Sequence, residues 1–114
     1  MDSAIHEVTD ENIDDVVADS NLVLLVFGLP GCGPCRDLGL VLPQIALRYL
    51  GRLSVITVDA LRCPKVCQVY NVNIFPTSIL LYCSKEVGII RGFAGCSFYS
   101  RKLEELVGDS KNLP

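Results

Sequence analysis

A chain of 114 residues, half apolar and one-fifth charged, can build a packed core and is too hydrophobic to stay disordered. A net charge of −3 without any basic run speaks against nucleic acid as a partner, and no apolar stretch reaches the roughly 18 residues of a membrane span. The opening "MDSAIHEVTDEN" lacks the cationic-then-apolar order of a secretory leader, so the expected location is cytoplasmic. Six cysteines could staple a small secreted fold, but this much apolar side chain does not need staples.

In chain order, "IHEV" (5–8) is a short candidate strand. Thr9 is a candidate N-cap for a helix over "DENIDDVVAD" (10–19), whose Ile13, Val16 and Val17 share one face. Asp10, Glu11, Asp14, Asp15 and Asp19 form its solvated face and suit the positive end of the helix dipole. "LVLLVF" (22–27) is a continuous apolar run, the pattern of a strand covered on both faces. From Pro34 to about Leu50 the period turns helical, with Leu38, Val41, Leu42, Ile45 and Tyr49 inward and Pro43 an interior kink. "LSVITVD" (53–59) is a second buried strand, and a helix between two such strands implies a parallel crossover. "PKVCQVYNV" (64–72) is a short helix opened by Pro64. "TSILLYC" (77–83) and "VGIIRGF" (87–93) form an antiparallel hairpin, and "FYSRKLEELV" (98–107) closes the chain as an amphipathic helix with Ser97 a possible cap. The expected fold class is α/β: one domain, a mixed sheet flanked by helices, in the order β-α-β-α-β-α-β-β-α.

Chemistry concentrates in "FGLPGCGPCRD" (27–37). Cys-x-x-Cys alone fits a redox dithiol, half a metal site or a turn. Here Cys32 falls at the carboxyl end of a buried strand and at a helix N-terminus, where unpaired N–H groups stabilise a thiolate. Cys35 lies one turn further in, placed to resolve a mixed disulfide formed on Cys32. Gly-Pro between them adds no charge, which favours a reducing poise.

Far off in sequence lies "NIFPTS" (73–78), with Pro76 ahead of a strand. "CGPC" at 32–35, "FPT" at 75–77 and "GIIRGFAG" later on together resemble the thioredoxin family over about residues 5 to 108. That resemblance implies a thioredoxin fold and a protein disulfide reductase without bound cofactor or metal. Cys32 and Cys35 would form its redox disulfide, with Cys32 the nucleophile and Cys35 the resolving thiol. Pro76, if cis, would pack over the pair, and the Phe75 backbone would pair with an extended substrate segment. Gly31, Gly33, Pro34 and Gly92 would complete the substrate-binding surface, with Leu29, Pro30 and Phe93 on a flat apolar rim. Implied partners are protein disulfides and a flavoprotein of the thioredoxin-reductase type, with the protein itself a monomer.

The chain departs from the family pattern in five places. Gly28 and Gly31 stand where tryptophans are usual, Val26 replaces a buried carboxylate, Thr57 replaces its lysine neighbour, and Pro43 falls later than the usual helix proline. Val26 cannot take the Cys35 proton, so a slower resolving step at neutral pH is expected, unless another acceptor such as Asp37 or Asp59 does so.

Two rival functions remain at this stage. Cys32 and Cys35 with Cys63 and Cys67 of "CPKVC" make a nominal four-thiolate metal set, and the chain could be a redox-regulated interaction module. Cys63 is expected near the N-cap of the third helix with Cys67 one turn in, as one buried and one surface thiol or as a second disulfide. Cys83 is expected in strand core and Cys96 in loop packing. His6, in the first strand, lies away from the motif.

Overall fold

In the computed structural model, which describes residues 5–110, nine elements follow one another in the expected order. They are β1 (Ile5–Glu7), α1 (Ile13–Ala18), β2 (Leu22–Gly28), α2 (Gly33–Arg48), β3 (Ser54–Asp59), α3 (Pro64–Val69), β4 (Thr77–Tyr82), β5 (Lys85–Arg91) and α4 (Cys96–Ser110). One five-stranded sheet has the order β1-β3-β2-β4-β5. β3 pairs in parallel with both β1 and β2, and β4 pairs antiparallel with β2 and β5.

The period of two along β2 sorts its side chains between two layers. Leu24 and Val26 face Leu38, Leu42, Ile45 and Leu103, from α2 and α4. Val23, Leu25 and Phe27 face the other way, in a cluster with Ile13, Val17 and Val66 of α1 and α3. With helices on both faces, every residue from Val23 to Phe27 is buried, which is why the run has no polar alternation. Pro43 stays inside α2 on its solvent side.

The core holds a buried polar pair between α4 and β4. The Tyr99 hydroxyl on α4 donates to Ser78 Oγ on β4 at 2.6 Å, both residues being buried. Ser78 is the cross-strand partner of Val26. Burial pushes the Tyr99 phenol up to about 12, against a smaller opposing effect of that hydrogen bond.

Several boundaries differ from expectation for local reasons. Thr9 is not the N-cap of α1, which is Asn12, but it closes the turn ahead of the helix. Its N–H donates to Asn12 Oδ1 at 2.8 Å and its Oγ1 accepts from the Asn12 N–H at 3.2 Å, a reciprocal box. Residues 10–12 are turn, and α1 proper starts at Ile13. α4 begins at Cys96, so Ser97 lies within the helix and does not cap it. The hairpin turns on Cys83 and Ser84, both at positive φ (51° and 69°), as two-residue primed turns require. That tight turn moves β5 two residues earlier than expected and puts Cys83 in solvent, not in strand core.

Gly88 on β5 lies directly under Leu106 of α4. A Cβ there would fall 2.5 Å from Leu106 Cδ2 and 3.0 Å from its Cγ. Gly88→Val is therefore expected to lower stability by about 1–3 kcal/mol through overpacking. A urea titration checks it: the midpoint falls while the slope stays unchanged.

Candidate functional site

The site begins where β2 ends. Gly28 closes the strand, and Leu29, Pro30 and Gly31 form a loop in which the Cys32 N–H donates back to the Leu29 carbonyl at 3.3 Å. Cys32 is the N-cap of α2: its backbone is extended, its carbonyl accepts from the Arg36 N–H at 3.1 Å, and its Sγ accepts from the Cys35 N–H at 3.2 Å. Gly33 and Pro34 open the helix, where proline's missing N–H leaves no bond unmade. Cys32 and Cys35 are joined by a disulfide, with Cα atoms 5.2 Å apart, and both are half-buried. The sulfur of Cys32 thus satisfies a first-turn N–H that has no partner within the helix, at the positive end of a 16-residue helix.

The second motif comes to the same place. Cys32 Sγ lies 3.9 Å from the Phe75 carbonyl, and the Phe75–Pro76 peptide is cis. Pro76 is buried and borders the same cavity as both cysteines. The Gly92 N–H donates to the Pro76 carbonyl at 2.7 Å, with Gly92 at φ 81°, a conformation that glycine takes without strain. Gly31, Gly33 and Pro34 are exposed beside the disulfide. Phe93 turns inward from the expected rim and packs its ring on Tyr99, centroids 5.9 Å apart. Ile74, half-exposed just before Phe75, is an apolar surface residue that the sequence reading passed over.

Behind the disulfide a cavity of about 420 Å³ opens along the end of the sheet. Its walls include Val26, Gly28, Cys35, Thr57, Asp59 and Glu7. Gly28 is what opens it toward Cys35. A Cβ at that position would lie 3.5 Å from Cys35 Cβ and 3.6 Å from its Sγ. Glu7 had no local sequence signal, because only the register of β1 on β3, Glu7 opposite Thr57, brings it there. Asp37 is exposed on α2 and is not part of this wall.

The other cysteines do not join the pair. Cys63 is the N-cap residue of α3, buried, its thiol donating to the Val8 carbonyl at 3.4 Å. Cys67 is half-buried one turn in. Burial pushes both thiols up in pKa, and the carboxylates of Asp10 and Asp59 add to the effect, the opposite of what a nucleophile needs. The four-thiolate set is not assembled: Cys63 packs in the α1–α3 layer, while Cys32 and Cys35 are bonded to each other. Among the described residues no three His, Cys, Asp or Glu side chains are grouped to hold a metal ion. Cys96 is exposed as the first residue of α4, not packed in a loop, and His6 is exposed on β1. No helix of the described residues is long and apolar enough to cross a membrane.

The comparison with known proteins agrees with this geometry. A family model described as Thioredoxin matches residues 4–104. Thioredoxin 1 of Nostoc sp. (strain PCC 7120) is 33% identical over 104 residues, covering 90% of this chain and 97% of that protein. A thioredoxin of Chlorobaculum thiosulfatiphilum is 29% identical over 103 residues, covering 90% and 95%. One from Synechocystis sp. is 31% identical over 91 residues, covering 79% and 85%. A dithiol pair at a helix N-terminus, faced by a cis-proline loop and matched along most of its length to these proteins, leads to one conclusion: the chain belongs to the thioredoxin family and is a thiol–disulfide oxidoreductase of the disulfide-reductase kind.

Proposed function

We propose that Cys32 attacks protein disulfides and that Cys35 resolves the product. The observation that carries this reading is the N-cap position of Cys32, whose sulfur accepts the Cys35 N–H at the head of α2. In the reduced protein the Cys32 thiolate attacks one sulfur of a substrate disulfide, forming a mixed disulfide and expelling the other sulfur as a thiolate. Cys35, losing its proton, then attacks Cys32 Sγ. The Cys32–Cys35 bond forms, the second substrate thiolate leaves, and the substrate has gained two electrons.

The surface around the pair suits an extended peptide. Gly31, Gly33 and Pro34 on one side and Phe75, Pro76 and Gly92 on the other form a low rim, with the Phe75 backbone available to pair with the incoming chain. Re-reduction falls to an external flavoprotein of the thioredoxin-reductase type, and the protein works as a cytoplasmic monomer. Four free thiols outside the pair fit a reducing compartment.

Cys35→Ser tests the division of labour. Without a resolving thiol, the variant is expected to hold a disulfide-bonded substrate on Cys32 as a stable mixed disulfide, seen as a mass shift on non-reducing analysis and released by dithiothreitol. Free turnover by Cys35→Ser, or adducts mapped to another cysteine, would refute the assignment.

A further inference from the structure

We infer that Asp59 is the proton acceptor for Cys35 in the resolving step. The inference rests on the assignment of Cys35 as resolving thiol. A thiol packed against the core must lose its proton before it can attack. The side chains facing it from the sheet, Val26 and Thr57, offer no group that takes a proton near neutral pH.

The sheet register supplies a carboxylate. Asp59 is the cross-strand partner of Gly28 in the parallel β2–β3 pair. Cross-strand partners project to the same face of a sheet. A Cβ on Gly28 would lie 3.6 Å from Cys35 Sγ, and Asp59 stands beside Gly28 on the next strand, about 4.8 Å across. Glycine at 28 leaves no side chain in between. Both Asp59 and Cys35 border the cavity of about 420 Å³, wide enough for a bridging water.

Asp59 is held for the task. One carboxylate oxygen accepts the Leu61 N–H at 2.9 Å, which fixes the rotamer. The other lies 3.9 Å from Arg62 Nε, a contact with a largely exposed side chain that leaves lone pairs open. Of the other charged groups on the wall, Arg36 of α2 is a cation, and Glu7 stands one strand further out, on β1 beyond β3. On the opposite side Cys63 and Cys67 of α3 feel the Asp59 charge but titrate upward, away from neutrality. The step balances: the Cys35 proton passes through water to the Asp59 carboxylate and from there to solvent. The Cys35 thiolate forms the bond to Cys32 Sγ as the substrate thiolate departs.

A two-phase reaction separates this role from that of Cys32. Reduced protein carrying Cys83→Ser and Cys96→Ser, to remove the exposed thiols, is mixed with sub-stoichiometric 5,5′-dithiobis(2-nitrobenzoate) in a stopped-flow instrument. The first thionitrobenzoate reports attack by Cys32 and the second reports resolution by Cys35. Asp59→Asn, which keeps the acceptor for the Leu61 N–H, is expected to leave the first phase unchanged. It should slow the second by about tenfold or more at pH 7, with the gap closing toward pH 9.5. Asp59→Glu should restore much of the rate, and Glu7→Gln should change it less than about twofold. A second phase in Asp59→Asn within twofold of the parent, or slowed equally at every pH, overturns the role of Asp59. Loss of both phases in the parent would instead refute the roles given to the cysteines.

Discussion

Cys32→Ser is expected to bring disulfide reduction down to the level of buffer alone while leaving the protein as stable as before. A serine hydroxyl ionises far too weakly to attack a disulfide at neutral pH, whatever the helix end contributes. The same hydroxyl is, however, among the best N-cap groups, and the Cys35 N–H now bonded to Cys32 Sγ would find an oxygen in its place. Activity and stability should therefore separate cleanly. Insulin-type turnover assays and urea titrations of the reduced proteins read the two quantities. Residual turnover well above background, with the midpoint unchanged, would mean that another thiol attacks.

The second large effect concerns stability at alkaline pH. Tyr99 ionises at about 12 in the folded protein against an ordinary 10.0. Between these values the native state holds a proton that the unfolded chain has lost, so this contribution is complete below pH 10 and falls as pH rises toward 12. The loss is about 1.4 kcal/mol by pH 11 and approaches about 2.7 kcal/mol beyond pH 12, at 1.36 kcal/mol per pKa unit. Tyr99→Phe removes the titration together with the bond to Ser78, and at pH 8 should cost about 1–3 kcal/mol. The difference between the two proteins should shrink by about 1.4 kcal/mol on going to pH 11. Tyr49, Tyr70, Cys63 and Cys67, all raised by burial, ionise in both proteins and cancel in the difference. A gap that stays constant from pH 8 to 11 would contradict this account of Tyr99.

Much of this molecule is legible in the chain because its strongest signals are local. The apolar runs at 22–27 and 53–59 form β2 and β3, two internal strands of the sheet, and Gly-Pro between Cys32 and Cys35 marks the helix start. What escaped was set by pairing. Nothing around Glu7 announces a cavity wall; the register of three parallel strands places it there, beside the Asp59 that the chain already offered as a candidate acceptor. Cys83 resembles a strand residue by its neighbours, Leu80, Leu81 and Tyr82. The two-residue turn that exposes it requires positive φ at a residue type that rarely adopts it. The metal alternative fell for a similar reason. Cys63 precedes a helix that packs on the other face of the sheet, a fact of topology that spacing in "CPKVC" does not carry.

The two borders of the sheet are poor templates for a further strand. β1 contributes only three residues, of which His6 and Glu7 are exposed. β5 carries a bulge opposite Leu80 and Leu81, where Val87 is the extra residue, and presents Lys85, Glu86 and Arg91 to water. Short, charged and irregular borders resist main-chain pairing with a neighbour, because a flat run of free N–H and C=O groups is never offered. Ribbon-like stacking of copies from sheet to sheet is thereby disfavoured even in concentrated solution.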